Sequence, residues 1–121
     1  MTIEELISRV FADRNASHLA HWAATGPGSY AKHMALGDFY DALPGSIDSI
    51  VECYQGAFNL VGPVAPAAEG PEDILDRLEE SAAWIETNRD RICRRNSALG
   101  NLVDTLLESY FSAIYKLRNL H

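Results

Sequence analysis

Apolar residues recur along most of this chain at intervals of three and four, the period of an α-helix with one face turned to a core. Ile3, Leu6, Ile7, Val10 and Phe11 open the first such run. Thr2 and Glu5 form a T-x-x-E capping pattern ahead of it, and the pattern continues past Leu19 to about Ala24. Thr25-Gly26-Pro27-Gly28 then breaks the chain, and Ser29 stands where a residue would cap a second helix. That helix carries Tyr30, Met34, Phe39, Leu43, Ile47, Ile50, Val51 and Tyr54 as its apolar positions. Pro44-Gly45 falls inside it, so a kink or a split is expected there.

From Ala57 to Pro71 the periodicity fades, and Pro63, Pro66 and Pro71 mark a long connection running the length of a bundle. Pro71 suits a helix start. Ile74, Leu75, Leu78, Ala82, Ile85 and Ile92 then form a stripe with Glu and Arg on its outer side. Asn96-Ser97 is a short turn before Leu99, Leu102, Val103, Leu106, Leu107, Tyr110, Phe111, Ile114 and Leu117. No alternating strand pattern, internal repeat or low-complexity tail competes, so the chain reads as all-α, one four-helix domain over 1–121.

Composition narrows the reading. With 121 residues there is room for one core but not for separate substrate and cofactor domains. No apolar run approaches the roughly eighteen residues that span a bilayer. The N-terminus is acidic where a leader would be basic, so a cytoplasmic address is expected. Cys53 and Cys93 lack metal or disulfide spacing and read as reduced thiols. The net charge of −7 disfavours DNA binding. The one basic cluster, Arg89, Arg91, Arg94 and Arg95, is best read as cations complementing a helix C-terminus.

The candidate chemistry lies in His21-Trp22, His33, Asp48 and Glu52. Imidazole nitrogens with carboxylate oxygens suit ferrous iron, manganese or zinc. Asp48 and Glu52 stand one turn apart, about 6 Å along the axis, and face the same way. His33 and Asp48 on one straight helix are separated by roughly 22 Å, beyond the reach of one metal centre. One centre using all four residues therefore needs two chains. His18 stands on the same side of the first helix as His21 and is a reserve ligand. Glu108 has no His partner at E-x-x-H spacing and reads as an ordinary surface acid.

The order of these residues resembles the Dps-type mini-ferritins of the ferritin-like superfamily, and more closely the short Dps-like proteins of tailed bacteriophages. In that pattern a His beside a Trp ends the first helix, a Gly-Pro turn follows, a His opens the second helix, and an Asp and a Glu lie one turn apart further along it. The segments Phe39-Tyr40-Asp41 with Ile47-Asp48, and Leu106-Leu107-Glu108 through Leu117-Arg118, add to the likeness.

The resemblance implies a ferritin-like bundle with a long crossover between the second and third helices. It also implies a ferroxidase centre at a two-fold interface, with His21 and His33 from one chain and Asp48 and Glu52 from its partner as both metal ligands and catalytic residues. A homo-oligomer of twelve subunits would oxidise Fe(II) to Fe(III) with oxygen or hydrogen peroxide and store the product, in a bacterial cell or a phage-infected host. Such a shell would carry a charge of about −84. Trp22 would wall the centre.

Three departures stand out. Gly37 occupies the place where many members carry an Asp, with Asp38 beside it. The short extra helix between the second and third helices is missing, and no Lys-rich extension precedes the first. A ferritin-like structural or virion-assembly role without iron oxidation is the alternative these departures allow.

Overall fold

The computed structural model describes residues 2–66 and 70–121, with the side chain of Thr2 not included. The expected Thr2 cap therefore lies outside the described residues. The described residues form four helices: α1 (Thr2–Ala23), α2 (Ser29–Ala57), α3 (Ile74–Cys93) and α4 (Ser97–Asn119). No strand occurs among the described residues, and no helix is long and apolar enough to cross a membrane.

The apolar stripes meet as their spacing requires. Leu6 and Val10 of α1, Leu36, Leu43, Ile47 and Ile50 of α2, Leu78, Ile85 and Ile92 of α3, and Leu99, Val103 and Leu106 of α4 are all withdrawn from water. Each buried Leu or Ile contributes about 1.5–3 kcal/mol by leaving water. The helices pack in a ring, with α1 on α2 and α3, and α4 on α2 and α3.

Side-chain contacts fix the directions. His21 meets His33 while His18 meets Tyr40, so α2 returns along α1. Arg77 reaches Asp13 while Arg9 reaches Ser81 and stacks on Trp84, so α3 is also antiparallel to α1. Arg89 pairs with Asp104 and Arg118 with Glu79, which makes α4 antiparallel to α3. The segment between α2 and α3 is tied to α1 by Gly62 N–H donating to Glu4 Oε2 (2.6 Å) and Ser8 Oγ donating to the Ala65 carbonyl (2.6 Å).

Several boundaries differ from the sequence expectation. Ser29 is the first residue of α2, not its cap; Gly28 holds the cap position at φ 78° without a side-chain bond. Gly26 also has positive φ, 89°, and both turn positions favour glycine because a Cβ resists that backbone. Pro71 does not open α3. Asp73 does, its carboxylate accepting from Asp76 N–H at 3.0 Å. Asn96 caps α4 by accepting from Leu99 N–H at 2.9 Å.

The expected split at Pro44 is absent, and α2 runs unbroken through it. An interior proline costs about 3 kcal/mol. Leu43, Ile47 and Ile50 are fully buried on either side of it, and together they outweigh that cost at roughly 1.5–3 kcal/mol each.

Candidate metal centre

His21 lies in the last turn of α1 and His33 in the second turn of α2, and the Gly26-Pro27-Gly28 corner folds them together. Their rings stack with centroids 3.6 Å apart and planes 20° from parallel. Each imidazole reaches the other residue's backbone. His21 Nδ1 lies 2.6 Å from the His33 carbonyl oxygen, and His33 Nδ1 lies 3.0 Å from that of His21.

A carbonyl can only accept, so both Nδ1 atoms carry the proton. With Nδ1 committed in this way, Nε2 is the ring nitrogen that each histidine has left for a metal. Backbone carbonyls fix histidine ligands in metal sites in the same way, setting tautomer and ring orientation. The exchange also serves the fold: the His21 carbonyl belongs to the last turn of α1 and has no donor within its own helix, so the His33 ring satisfies it.

Gly37 explains how the His21 ring can approach α2. A Cβ at that position would lie 3.1 Å from His21 Cε1 and 3.3 Å from its Nδ1. Where the resemblance leads one to expect an aspartate, this chain has a gap that the imidazole edge fills.

His18 sits beside the pair, stacked on Tyr40 at 4.1 Å and tilted against Trp22 at 4.2 Å. Desolvation lowers its pKa from the ordinary 6.5, and the nearby Arg14 and His21 add to the shift. Trp22 remains 66% exposed in the single chain.

Asp48 and Glu52 are exposed on α2. Because the helix is continuous, they stay roughly 22 Å and 28 Å along the axis from His33. At 100° per residue Asp48 falls about 60° and Glu52 about 100° around from His33, so the carboxylates lie on the flank of α2 next to the histidine's face. Among the described residues, no three His, Cys, Asp or Glu side chains of one chain come together as a metal-sized group. The histidines thus meet each other, and the carboxylates meet neither histidine within the same chain.

Several large apolar side chains of α1 and α2 face water. Phe11, Leu19 and Trp22 of α1 and Tyr30 and Met34 of α2 are all exposed. The periodicity had assigned Phe11, Tyr30 and Met34 to the core stripes. Helical spacing alone does not separate an inner face from an adjoining outer one.

A second polar group, unmarked by the sequence reading, crosses the core. Asp13 is fully buried and accepts from Tyr110 Oη at 2.5 Å and from Arg77 Nη1 at 3.3 Å. Burial raises the Asp13 carboxyl above 3.8, against the lowering effect of bonds from Ser81, Tyr110 and Arg77. Burial, with the Asp13 charge, pushes the Tyr110 phenol well above 10.0. A signal was available: Asp13 and Ser17 continue the Leu6, Val10 spacing, so two polar residues fall on the core stripe.

Cys53 and Cys93 are free thiols, as expected, and burial pushes Cys93 upward. Glu108 is exposed on α4.

No curated protein and no solved structure matches the chain. Residues 21–117, which begin at the first histidine of the pair and include His33, Asp48 and Glu52, match the model of a family of unknown function, DUF5856, and the chain belongs to that family.

Proposed function

We propose that this chain is the subunit of a Dps-like, ferritin-like iron protein that oxidises ferrous iron at centres shared between two chains. The observation that carries the proposal is the reciprocal His21–His33 arrangement, which commits both Nδ1 atoms to backbone carbonyls and leaves both Nε2 atoms as ligands. Asp48 and Glu52 of a second chain supply the anionic oxygens. The exposure of both carboxylates on α2 supports this, as does the exposure of the large apolar side chains Trp22, Tyr30 and Met34 near the histidine end of the helix pair.

The path of the backbone favours the same reading. The segment after α2 is bonded to Glu4 and Ser8, and α3 begins beside Asp13, as a crossover between parallel α2 and α3 would require. A mild kink at Pro44 would fit beside such an interface, since Pro44 is exposed on α2.

In this reading ferrous iron is the substrate. Two ferrous ions each give one electron to a hydrogen peroxide, which takes up two protons and leaves as two waters; oxygen is the other oxidant. The carboxylates offset the charge gained on forming ferric ion, and the imidazoles hold the ion in place. Manganese and zinc compete for the same donors. The assembly is a homo-oligomer with a two-fold contact, expected to reach twelve subunits, within a bacterial cell or a phage-infected host.

The test is anaerobic ferrous titration followed by oxidant, with ferric absorbance recorded for the native chain and a His21→Ala, Asp48→Ala variant. Rapid oxidation that disappears in the variant is expected. Equal background rates in both would sink the proposal.

One observation favours a second reading, a structural or virion-assembly bundle without oxidation. The His21–His33 exchange also caps α1 and locks the α1–α2 corner, which is sufficient reason for two histidines to meet. That reading predicts stable oligomers that bind no iron.

A further inference from the structure

The Arg89–Arg95 cluster has no part in the proposed iron chemistry, and only some of its members serve helix ends. Arg91 lies in the last turn of α3, where a cation complements the dipole. Arg89 is held by two bonds to Asp104, from Nε at 2.7 Å and Nη2 at 2.9 Å. Arg94 caps α3 through its backbone N–H on the Asp90 carbonyl, but its side chain, like that of Arg95, takes no part in the cap. Both are exposed, and neither forms an ion pair among the described residues. Arg94 lies over the Phe58 ring at 4.1 Å, which positions its guanidinium without neutralising it.

Both also occupy the left-handed backbone region, at φ 50° and 65°. Glycine or asparagine normally fills such positions at a helix C-terminus, because a larger side chain opposes that conformation. Two consecutive arginines there are explained better by what their side chains do than by the turn.

They border a cavity of about 540 Å³ between the end of α3 and the start of α4. Arg89, Asp90, Arg94, Arg95, Asn96 and Gly100 line it. Three of its four charged lining groups are positive, in a chain whose net charge is −7. Gly100 makes room for the Arg89 head: a Cβ there would lie 2.8 Å from Nη2.

We propose that this cavity binds a compact oligophosphate anion of the pyrophosphate class. Guanidinium forks match the paired oxygens of phosphate and bind them through charge-assisted, often bidentate hydrogen bonds. The volume exceeds one phosphate group, while no aromatic ring lines the cavity to stack a nucleobase. Such a site selects phosphate charge and not base identity. Asp104, bonded to Arg89, and Asp90 offset part of this charge, which leaves Arg94 and Arg95 as the unpaired cations among the described residues of the lining; acids beyond about 8 Å are screened at physiological salt.

Calorimetric titration of the full chain with sodium pyrophosphate tests the assignment, and it needs no iron. Saturable binding that weakens with added chloride is expected. The informative variant is Arg94→Gly, Arg95→Gly. Glycine accepts positive φ freely, so this variant keeps the turn and its thermal midpoint should hold or rise, while pyrophosphate affinity falls at least about tenfold. Arg91→Gln removes a neighbouring charge outside the lining and should change affinity by less than about twofold.

Absence of binding by the native chain, or a double variant that binds within about twofold of it, would overturn the proposal. A single-stranded oligonucleotide titrated in parallel provides a second arm. Binding of the oligonucleotide without binding of pyrophosphate would also overturn it, in favour of a polymer backbone as the ligand.

Discussion

At the residue scale, Gly37 determines how the two histidines are presented. It lies one turn after His33, and its missing Cβ is what lets the His21 ring reach the His33 carbonyl. In Gly37→Ala two effects oppose each other. Helix propensity improves by about 1 kcal/mol, while the new methyl, 3.1 Å from His21 Cε1, pushes the ring off its 2.6 Å bond. Chemical denaturation should therefore show stability within about 1 kcal/mol of the native chain. Ferrous affinity should fall by about tenfold or more, because a displaced supporting hydrogen bond misdirects the ligand. A variant that binds ferrous iron as tightly as the native chain would mean that the His21 orientation does not matter to the site.

At the scale of elements, the Asp13 group ties three helices together. Asp13 of α1 holds Tyr110 of α4 and Arg77 of α3 across the core. Its folded pKa lies above 3.8, with desolvation the largest cause. For an acid with a raised folded pKa, the native state binds the proton more tightly, so its contribution is full below 3.8 and is lost as pH rises through the folded value. Asp104 works in the opposite sense: its bonds from Arg89 lower its pKa, and its contribution is lost as pH falls. Urea unfolding across this range should therefore show Asp13→Asn gaining on the native chain as pH rises from 3.8. Asp13→Ala, which strands the Arg77 charge and the Tyr110 hydroxyl, should cost about 3–5 kcal/mol; a parallel pH profile for the Asn variant would refute the desolvation account. The four helices and their turns were legible in the sequence because 3.6-residue periodicity and Gly-Pro breaks are local signals. The unbroken passage of α2 through Pro44 was not, because it depends on Leu43, Ile47 and Ile50 finding partners on other helices. The outward turn of Tyr30 and Met34 was hidden for a similar reason. Of the site, the meeting of His21 with His33 could be expected from a short turn between two helices, whereas the exchange of Nδ1 bonds depends on ring orientations set by the packing of α1 on α2.

At the scale of the whole molecule, the distance along α2 becomes a statement about assembly. His33 and Asp48 share one continuous helix roughly 22 Å apart, and among the described residues the single chain gathers no metal-sized group. A two-fold rotation about an axis near the midpoint of α2 would exchange the two ends of the stripe, so that the His end of each chain faces the carboxylate end of the other. Such an arrangement can be tested by complementation. A His21→Ala, His33→Ala chain retains the carboxylates, and an Asp48→Ala, Glu52→Ala chain retains the imidazoles; neither can build a centre with itself. Co-refolded in equal amounts, half of the two-fold pairs are mixed, and each mixed pair has one intact centre and one empty of ligands. Ferrous oxidation should therefore return to about a quarter of the native capacity. Helical circular dichroism on each parent guards against loss of the α1–α2 corner, which His33 helps to close. Random restoration of fold would not produce that fraction, and its dependence on mixing ratio should follow the product of the two chain fractions. A mixture no more active than its folded parents would rule out a centre shared between chains, leaving the histidine pair as a structural clasp.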